Sequence, residues 1–368
     1  MDPPRLNDMR AGGDAWVETV RVDAPGRLHL GFLDPSATLG RRFGSVGVTI
    51  DTFSTVVEVA FAPADSFVAD EPASASELAR VERHVAALRA ATGLDRPLHV
   101  VLRRALPPHA GFGSGTQLAL AVGRGFSALH RLSLSTERIA QILTRGVRSG
   151  IGVAAFARGG LLVDGGRLVT TGQAVASDTT DNASVPLPPI LSRFEFPGAW
   201  RIVIVMDDRL HGLHGGHESA AIAALPTFPE ASAAALCHRL LLGVLPAVAE
   251  RDFERFSAGI LYIQDANGRY FAPAQGGNMY VSSGVTRVLE WLRERFPAAV
   301  GQSSWGPTGF AFAATQVMAD QMIDALRHAG RIDREVRVRC VRARNHGALV
   351  SRHAGDRMTQ LGPDETVL

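Results

Sequence analysis

The sequence predicts an α+β protein of two domains, and three observations predict it. The chain has 368 residues, long for one hydrophobic core and comfortable for two. Strand-like and helix-like segments follow one another through its first half, around a glycine-rich loop at 107–117. In its second half well-separated strands mix with helices, which suits a two-layer sheet-and-helix unit.

Val17–Val22 alternates weakly and reads as a strand, and Arg27–Phe32 reads as a second one after the Pro25-Gly26 turn signal. Gly40–Gly47, rich in glycine and arginine, reads as a loop. Val46–Ile50 and Thr55–Phe61 are β-branched and read as a hairpin or adjacent strands. Ser76–Ala91 is a helix with Ser76 as its cap and Leu78, Val81, Val85 and Leu88 as its apolar face. Leu98–Arg103 is a strand. After the glycine loop, Leu118, Ala121, Val122, Phe126 and Leu129 keep helical spacing. A helix follows at Thr136–Thr144, capped by Thr136. Residues 159–166 place a short strand between glycine turns. The Ser-, Thr-, Asp-, Asn- and Pro-rich stretch 171–192 reads as a surface excursion or linker. Beyond it come a strongly apolar strand at Trp200–Met206, helices from 218 to 266, a helix at Ser283–Glu294 and a strand at Phe310–Ala313. A helix at Gln316–Arg327 and a final strand at Glu335–Val341 complete the pattern.

The composition excludes several classes. Apolar residues are 46% and charged residues 20%, values of a globular chain and not of a disordered polyelectrolyte. A formal net charge of +2 gives no broad basic surface for nucleic acid. Cys237 and Cys340 make neither a disulfide framework nor a zinc ribbon and read as reduced thiols of a cytoplasmic protein. Met1–Asp14 is polar, with no apolar core of a signal peptide, and no apolar run reads as long enough to span a bilayer.

The segment that carries most chemistry is Pro107-Pro108-His109-Ala110-Gly111-Phe112-Gly113-Ser114-Gly115-Thr116-Gln117. It stands directly ahead of a long helix, whose first turn presents unpaired amides and the positive end of the helix dipole. Gly111, Gly113 and Gly115 let those amides close around phosphate oxygens. Ser114 and Thr116 add hydroxyls, and Gln117 is placed to reach back over a ligand. The pattern is neither a Walker A loop nor a dinucleotide fingerprint. A tight turn with close helix packing is the plainer explanation.

Arg145, Arg148 and Ser149 flank Gly146 and Gly150, and two guanidinium forks suit a diphosphate or carboxylate. The plainer explanation is a solvated helix end. Arg27 and His29 share one face of a strand, an arrangement for an anion or for a structural histidine. Arg41 and Arg42 are further candidates to fold over a phosphate. His211, His214, His217 and Glu218 invite a zinc reading, but the glycines between them fix no geometry. Glu218 is better placed as a site carboxylate or a magnesium neighbour. In Gln302-Ser303-Ser304-Trp305-Gly306-Pro307-Thr308, the residues Ser303 and Thr308 offer polar groups. Trp305 either stacks on a ligand ring or packs over the turn.

Together these segments resemble the GHMP small-molecule kinase superfamily, named for galacto-, homoserine, mevalonate and phosphomevalonate kinases. Within it the chain looks like the β-ribofuranosylaminobenzene 5′-phosphate synthases of tetrahydromethanopterin biosynthesis. The resemblance runs from Val20 to Arg344, through Pro25–Asp34, Gly115–Leu120, Arg145–Gly152, Gly159–Gly166 and Gln302–Pro307. It implies a domain like domain 2 of ribosomal protein S5 at 15–192 and a ferredoxin-like domain at 193–350. It also implies an enzyme that joins phosphoribosyl pyrophosphate to 4-aminobenzoate, with pyrophosphate and carbon dioxide leaving and a C-riboside forming. Magnesium is an expected cofactor, contacted by Asp34 or Glu218, and no ATP is required.

The chain departs from the kinase pattern at Gly152, where the resembling kinases usually carry an aspartate that handles the acceptor hydroxyl. Glycine moves no proton. The expected chemistry is therefore diphosphate departure held by amides and arginines, Arg148 foremost with Arg145 and Arg27, and attack by an electron-rich ring carbon. Two other readings stand beside it. One is an ATP-dependent kinase with its base supplied by Asp34 or Glu218. The other is a non-catalytic phosphometabolite-binding protein. A homodimer follows from general tendency alone.

Overall fold

The computed structural model describes residues 18–169, 186–210, 212, 220–354 and 357–364. In the first domain β1 (Thr19–Asp34) and β2 (Arg41–Phe61) form a long antiparallel pair. β3 (Ser66–Ala69) lies parallel to β4 (Leu98–Arg104), which pairs with the far half of β2. The near half of β2 pairs at Ser45–Val48 with β5 (Leu161–Asp164). β6 (Arg167–Leu168) closes on the start of β2, and β7 (Ile190–Phe194) extends β5. Helices α1 (Leu78–Thr92), α2 (Ser114–Leu129), α3 (Thr136–Ile142) and α4 (Ile151–Ala157) belong to this domain. Every residue of α2 from Gln117 to Leu129 is buried, because the helix lies between the β1–β2 pair and the other three helices.

The second domain has an antiparallel sheet in the order β11 (Val336–Val341), β8 (Arg201–Asp207), β10 (Thr308–Ala313), β9 (Val300–Gln302). β8 is apolar on both faces, as a central strand between two cores must be. Val203 and Val205 meet Val285 and Leu289 of one helix (Ser283–Arg295) and Met322 and Leu326 of another (Gln316–His328). Ile202, Ile204 and Met206 meet Phe256, Ile260 and Ile263 of a third (Phe253–Phe271). That second cluster also holds Leu28, Leu30, Val46, Val48 and Phe112. One apolar core therefore joins both sheets, and Phe112 anchors the glycine loop in the seam.

Several expectations are corrected. Pro25-Gly26 is no turn: β1 runs through it with a register shift between Pro25 and Arg27. Arg41–Gly47 is the start of β2 and not a loop, bent by positive φ at Phe43 and Gly44. Thr52, with φ 69°, bends the same single strand where a hairpin or two adjacent strands were expected. Ser76 lies in a 3₁₀ turn (Pro72–Glu77) and caps nothing. Ser135, not Thr136, caps α3 by accepting from the Arg138 amide, while Thr136 bonds Asp364. Val336–Val341 is not the last strand. β12 (Leu349–Ala354) returns to the free edge of β1, and β13 (Arg357–Leu361) pairs with it, so the chain's end extends the first sheet.

The helical stretch Glu230–Glu250 is long and apolar enough to cross a membrane by length and composition, against the expectation of none. It is broken by a π turn at Leu240–Val244, and Leu236, Leu240, Val244 and Val248 face the shared core.

Candidate functional site

The site is built on the first turn of α2. Gly111 and Gly113 stand at φ +95° and +78°, in the left-handed region that side chains disfavour. Gly113 is the N-cap, and its carbonyl accepts from the Thr116 and Gln117 amides at 3.0 and 3.1 Å. By helix geometry the amides ahead of Thr116 have no intrahelical acceptor.

Arginines from three elements converge on this turn. Arg27, on β1, donates from Nη1 to the Gly111 carbonyl at 2.5 Å, and its backbone amide bonds the Phe112 carbonyl. A Cβ added at Gly113 would stand 3.3 Å from the Arg27 guanidinium carbon. A Cβ at Gly115 would stand 2.6 Å from Arg80 Nη2 and 3.8 Å from Arg145 Nη1. Arg80, on α1, also pairs with Glu77 at 2.8 Å. Burial, with the Arg80 and Arg83 charges, lowers the Arg145 pKa, and Arg145 Nε is buried without a partner. Arg148 acts together with Arg27 on the His29 ring. Like charges gathered at the positive end of a helix repel one another, and a polyanion relieves that repulsion.

The surrounding residues hold this turn in place. Ser149, expected at the substrate, donates to Asp164 at 3.1 Å. The Asp164 carboxylate is fully buried and also accepts from the Gly150 and Gly166 amides, so it fixes the arginine loop from beneath. Burial raises its pKa against those donors. Arg41 donates to the Gly165 and Gly166 carbonyls at 2.7 Å and Arg42 to the Pro35 carbonyl, so neither folds over the glycine loop. Gln117 does not reach over a ligand: it is fully buried and donates to the Gly152 carbonyl at 2.8 Å. Thr116 packs on Gly152, where an added Cβ would come within 3.2 Å of Thr116 Cγ2. A carboxylate side chain at that position would have to push Thr116 aside.

From the second domain, Ser303 reaches across. Its hydroxyl accepts from the His29 amide at 3.0 Å and donates to the Gly111 carbonyl at 2.7 Å. Thr308 is buried in β10, where its carbonyl accepts from the Ser303 amide. Trp305 is 5% exposed and packs among Phe32, Phe43 and Phe271, so the packed alternative describes it. Asp34 closes its own turn, accepting from the Ser36 and Thr38 amides and the Thr38 hydroxyl. It stands five residues along β1 from His29, roughly 16 Å at strand rise. Glu218, with His211, His214 and His217, lies outside the described residues. Among the described residues no group of three His, Cys, Asp or Glu side chains is placed to hold a metal, and the turn is ringed by arginine instead. Arg80 and Asp164 are site residues that the sequence reading missed.

The family model for the GHMP kinases N-terminal domain matches residues 79–160, and that for the C-terminal domain matches 244–332. The β-ribofuranosylphenol 5′-phosphate synthase of Archaeoglobus fulgidus is 32% identical over 295 residues, 79% of this chain and 87% of the relative. The chain belongs to this family of the GHMP superfamily. The synthase of the same name from Methanothermobacter thermautotrophicus is 28% identical over 79% of the chain and 87% of its own length. Among solved structures, phosphomevalonate kinase of Streptococcus pneumoniae aligns over 89% of this chain and all of its own, with TM-score 0.64 and 12% identity. Mevalonate diphosphate decarboxylase of Staphylococcus aureus covers 94% of this chain and 99% of its own, at 0.61 and 16%. These two likenesses establish the two-domain α+β fold that the synthase family shares with the kinases.

The arginines leave a mark on stability. His29 and His84 are 3% and 7% exposed, and each pKa falls from 6.5 to about 3. Burial is the larger cause, helped by Arg27 and Arg148 at His29 and by Arg145, Arg80 and Arg83 at His84. Below pH 6.5 the unfolded chain takes up protons that the folded chain refuses, so this stability is present above 6.5 and lost as pH falls toward 3. The pair should remove about 2–3 kcal/mol between pH 7.5 and 5.5. Urea unfolding at the two pH values measures it, and His84→Gln should remove about half of the difference. An unchanged midpoint would mean that both rings titrate freely.

Proposed function

We propose that this chain condenses phosphoribosyl pyrophosphate with a 4-substituted benzoate, 4-aminobenzoate first, releasing pyrophosphate and carbon dioxide. The observation that carries the reading is the gathering of Arg27, Arg80 and Arg145 about the first turn of α2, with Arg148 acting on nearby His29, beside a glycine at 152 that supplies no base. The arginines and the α2 amides hold the diphosphate. As the bond from ribose C1′ to the diphosphate oxygen breaks, its electron pair leaves with the diphosphate, and the guanidinium groups meet that charge. The ring carbon bearing the carboxylate bonds to C1′. The carbon–carboxylate bond then breaks, its electrons restore the aromatic ring, and carbon dioxide leaves. Asp34 is committed to its own turn and Asp164 to the arginine loop, so no step is assigned to magnesium. The reading places the enzyme in the cytoplasm, away from membranes.

The relatives are named for the phenol product, which favours 4-hydroxybenzoate as a second acceptor. The test supplies magnesium, phosphoribosyl pyrophosphate and carboxyl-labelled 4-aminobenzoate or 4-hydroxybenzoate, with ATP withheld. Equal release of pyrophosphate and labelled carbon dioxide is expected, and the faster acceptor names the product. Retained label without pyrophosphate overturns the reading. A phosphorylated product formed only with ATP marks a kinase, and binding without turnover marks a phosphometabolite-binding protein.

A further inference from the structure

Beside the arginines a narrow cleft opens at the seam of the two domains. Beside the His29 imidazole, four aromatic rings line it, those of Phe32, Phe271, Tyr280 and Trp305, along with carboxamides that include Gln264, Gln275 and Gln302. No ionised side chain is in the lining. The carboxamides are already engaged. Gln264 donates to the Leu30 carbonyl and accepts from the Gln302 amide. The Gln302 side chain accepts from the Val281 amide and donates to Gln275 and the Ser304 carbonyl. The one buried side-chain polar atom of this lining without a partner, among the described residues, is Nε2 of His29.

Size narrows the occupant. The cleft holds about 40 Å³, against ~150 Å³ for an apolar cavity that accepts benzene. It takes a head group such as an amino or hydroxyl and not a whole ring. Charge narrows it further. An ammonium against His29 would lie in the field of Arg27 and Arg148, and no carboxylate lines the cleft, so the head group is neutral. Burial, helped by the same two arginines, keeps the imidazole itself neutral, and a neutral imidazole keeps one accepting nitrogen. An aryl amine or phenol has an N–H or O–H to donate.

We infer that this cleft seats the 4-substituent of the aromatic acceptor, with His29 Nε2 accepting its hydrogen bond. The inference rests on the reading that an aromatic acid is the acceptor. It gives His29 a binding role separate from the phosphate turn. It also explains how one site serves an amine and a phenol alike, since both present a donor in the same place. Ser303, bridging the His29 amide and the Gly111 carbonyl, fixes the spacing between this head-group pocket and the glycine loop.

The test compares binding of 4-aminobenzoate with that of 4-methylbenzoate, which has the same shape and no donor. Titration calorimetry in the presence of pyrophosphate should give the amine at least about a tenfold advantage in the unmodified protein, ~1.4 kcal/mol. His29→Ala should bring the two ligands level by weakening the amine. His29→Gln, whose carboxamide oxygen reaches the Nε2 position, should retain most of the preference, and both variants should bind phosphoribosyl pyrophosphate as before. If His29→Ala does not fold, the ¹⁵N signal of Nε2 in the unmodified protein decides: it should shift with 4-aminobenzoate and not with 4-methylbenzoate. A preference that survives His29→Ala, a silent Nε2 signal, or loss of phosphoribosyl pyrophosphate binding in its place overturns the inference. A donor preference that vanishes with His29 in a protein that makes no pyrophosphate leaves the cleft assigned and the synthase reading wrong.

Discussion

Arg148→Ala is expected to slow pyrophosphate release by roughly 30- to 1000-fold, the rate equivalent of about 2–4 kcal/mol lost from the transition state. Arg148 stands in the loop that Asp164 pins from below, and it shares the His29 surroundings with Arg27. Asp164 holds the adjoining Ser149 hydroxyl and Gly150 amide without the Arg148 side chain, so the alanine variant should fold. Arg148→Lys keeps the charge and loses the planar fork. If the guanidinium grips two diphosphate oxygens, lysine recovers only part of the rate; if it only sets the local potential, lysine recovers nearly all. A rate for Arg148→Ala within about threefold of the unmodified enzyme, less than ~1 kcal/mol, would take Arg148 out of the reaction. Arg145, Arg80 or Arg27 would then inherit its role.

The second large effect is expected at Gly306. A Cβ there would drive into the backbone of Ala110 and Gly111, the approach to the phosphate turn, and backbone cannot swing aside as a side-chain end can. Gly306→Ala should therefore part the Ser303 turn from the glycine loop and break the Ser303–Gly111 bond. Overpacking of this kind costs about 1–3 kcal/mol. Here it falls on the seam, so the urea midpoint should drop and the affinity for phosphoribosyl pyrophosphate with it. Gly115→Ala is the comparison in stability, because its Cβ meets only the ends of the Arg80 and Arg145 side chains, which can swing aside. A Gly306→Ala protein with unchanged midpoint and unchanged affinity would show that the two loops are not in contact in solution.

The glycine loop was legible because its signals are local: glycines at 111, 113 and 115, hydroxyls between them, and apolar helical spacing directly after. Arg27 was legible because an arginine is conspicuous in an apolar strand. Arg80 was not. It lies on an amphipathic helix beside the exposed Arg83, and only the packing of α1 against α2 brings it over Gly115. Gln117 was misread, and Trp305 left open between a ligand and the turn, for the same reason in reverse: their polar, glycine-rich neighbourhoods suggest exposure, and contacts from distant segments bury them. β12 escaped notice because Leu349–Ala354 has no clean alternation. Its place is set by the open edge of β1, more than three hundred residues earlier.

The chain contains no lysine; all 38 of its lysine-or-arginine positions are arginine. Each cation about the first turn of α2 is therefore a guanidinium, and a guanidinium keeps its proton throughout the range in which an enzyme is assayed. The field that receives the diphosphate is then constant with pH, and any ionisation seen in the affinity for it belongs to the ligand's own phosphates. Reagents that acylate or reductively alkylate amines have no target in this turn, whereas a vicinal dicarbonyl such as phenylglyoxal attacks the group on which the site depends. Diphosphate should shield the protein from the second kind of reagent, and the first kind should leave it active.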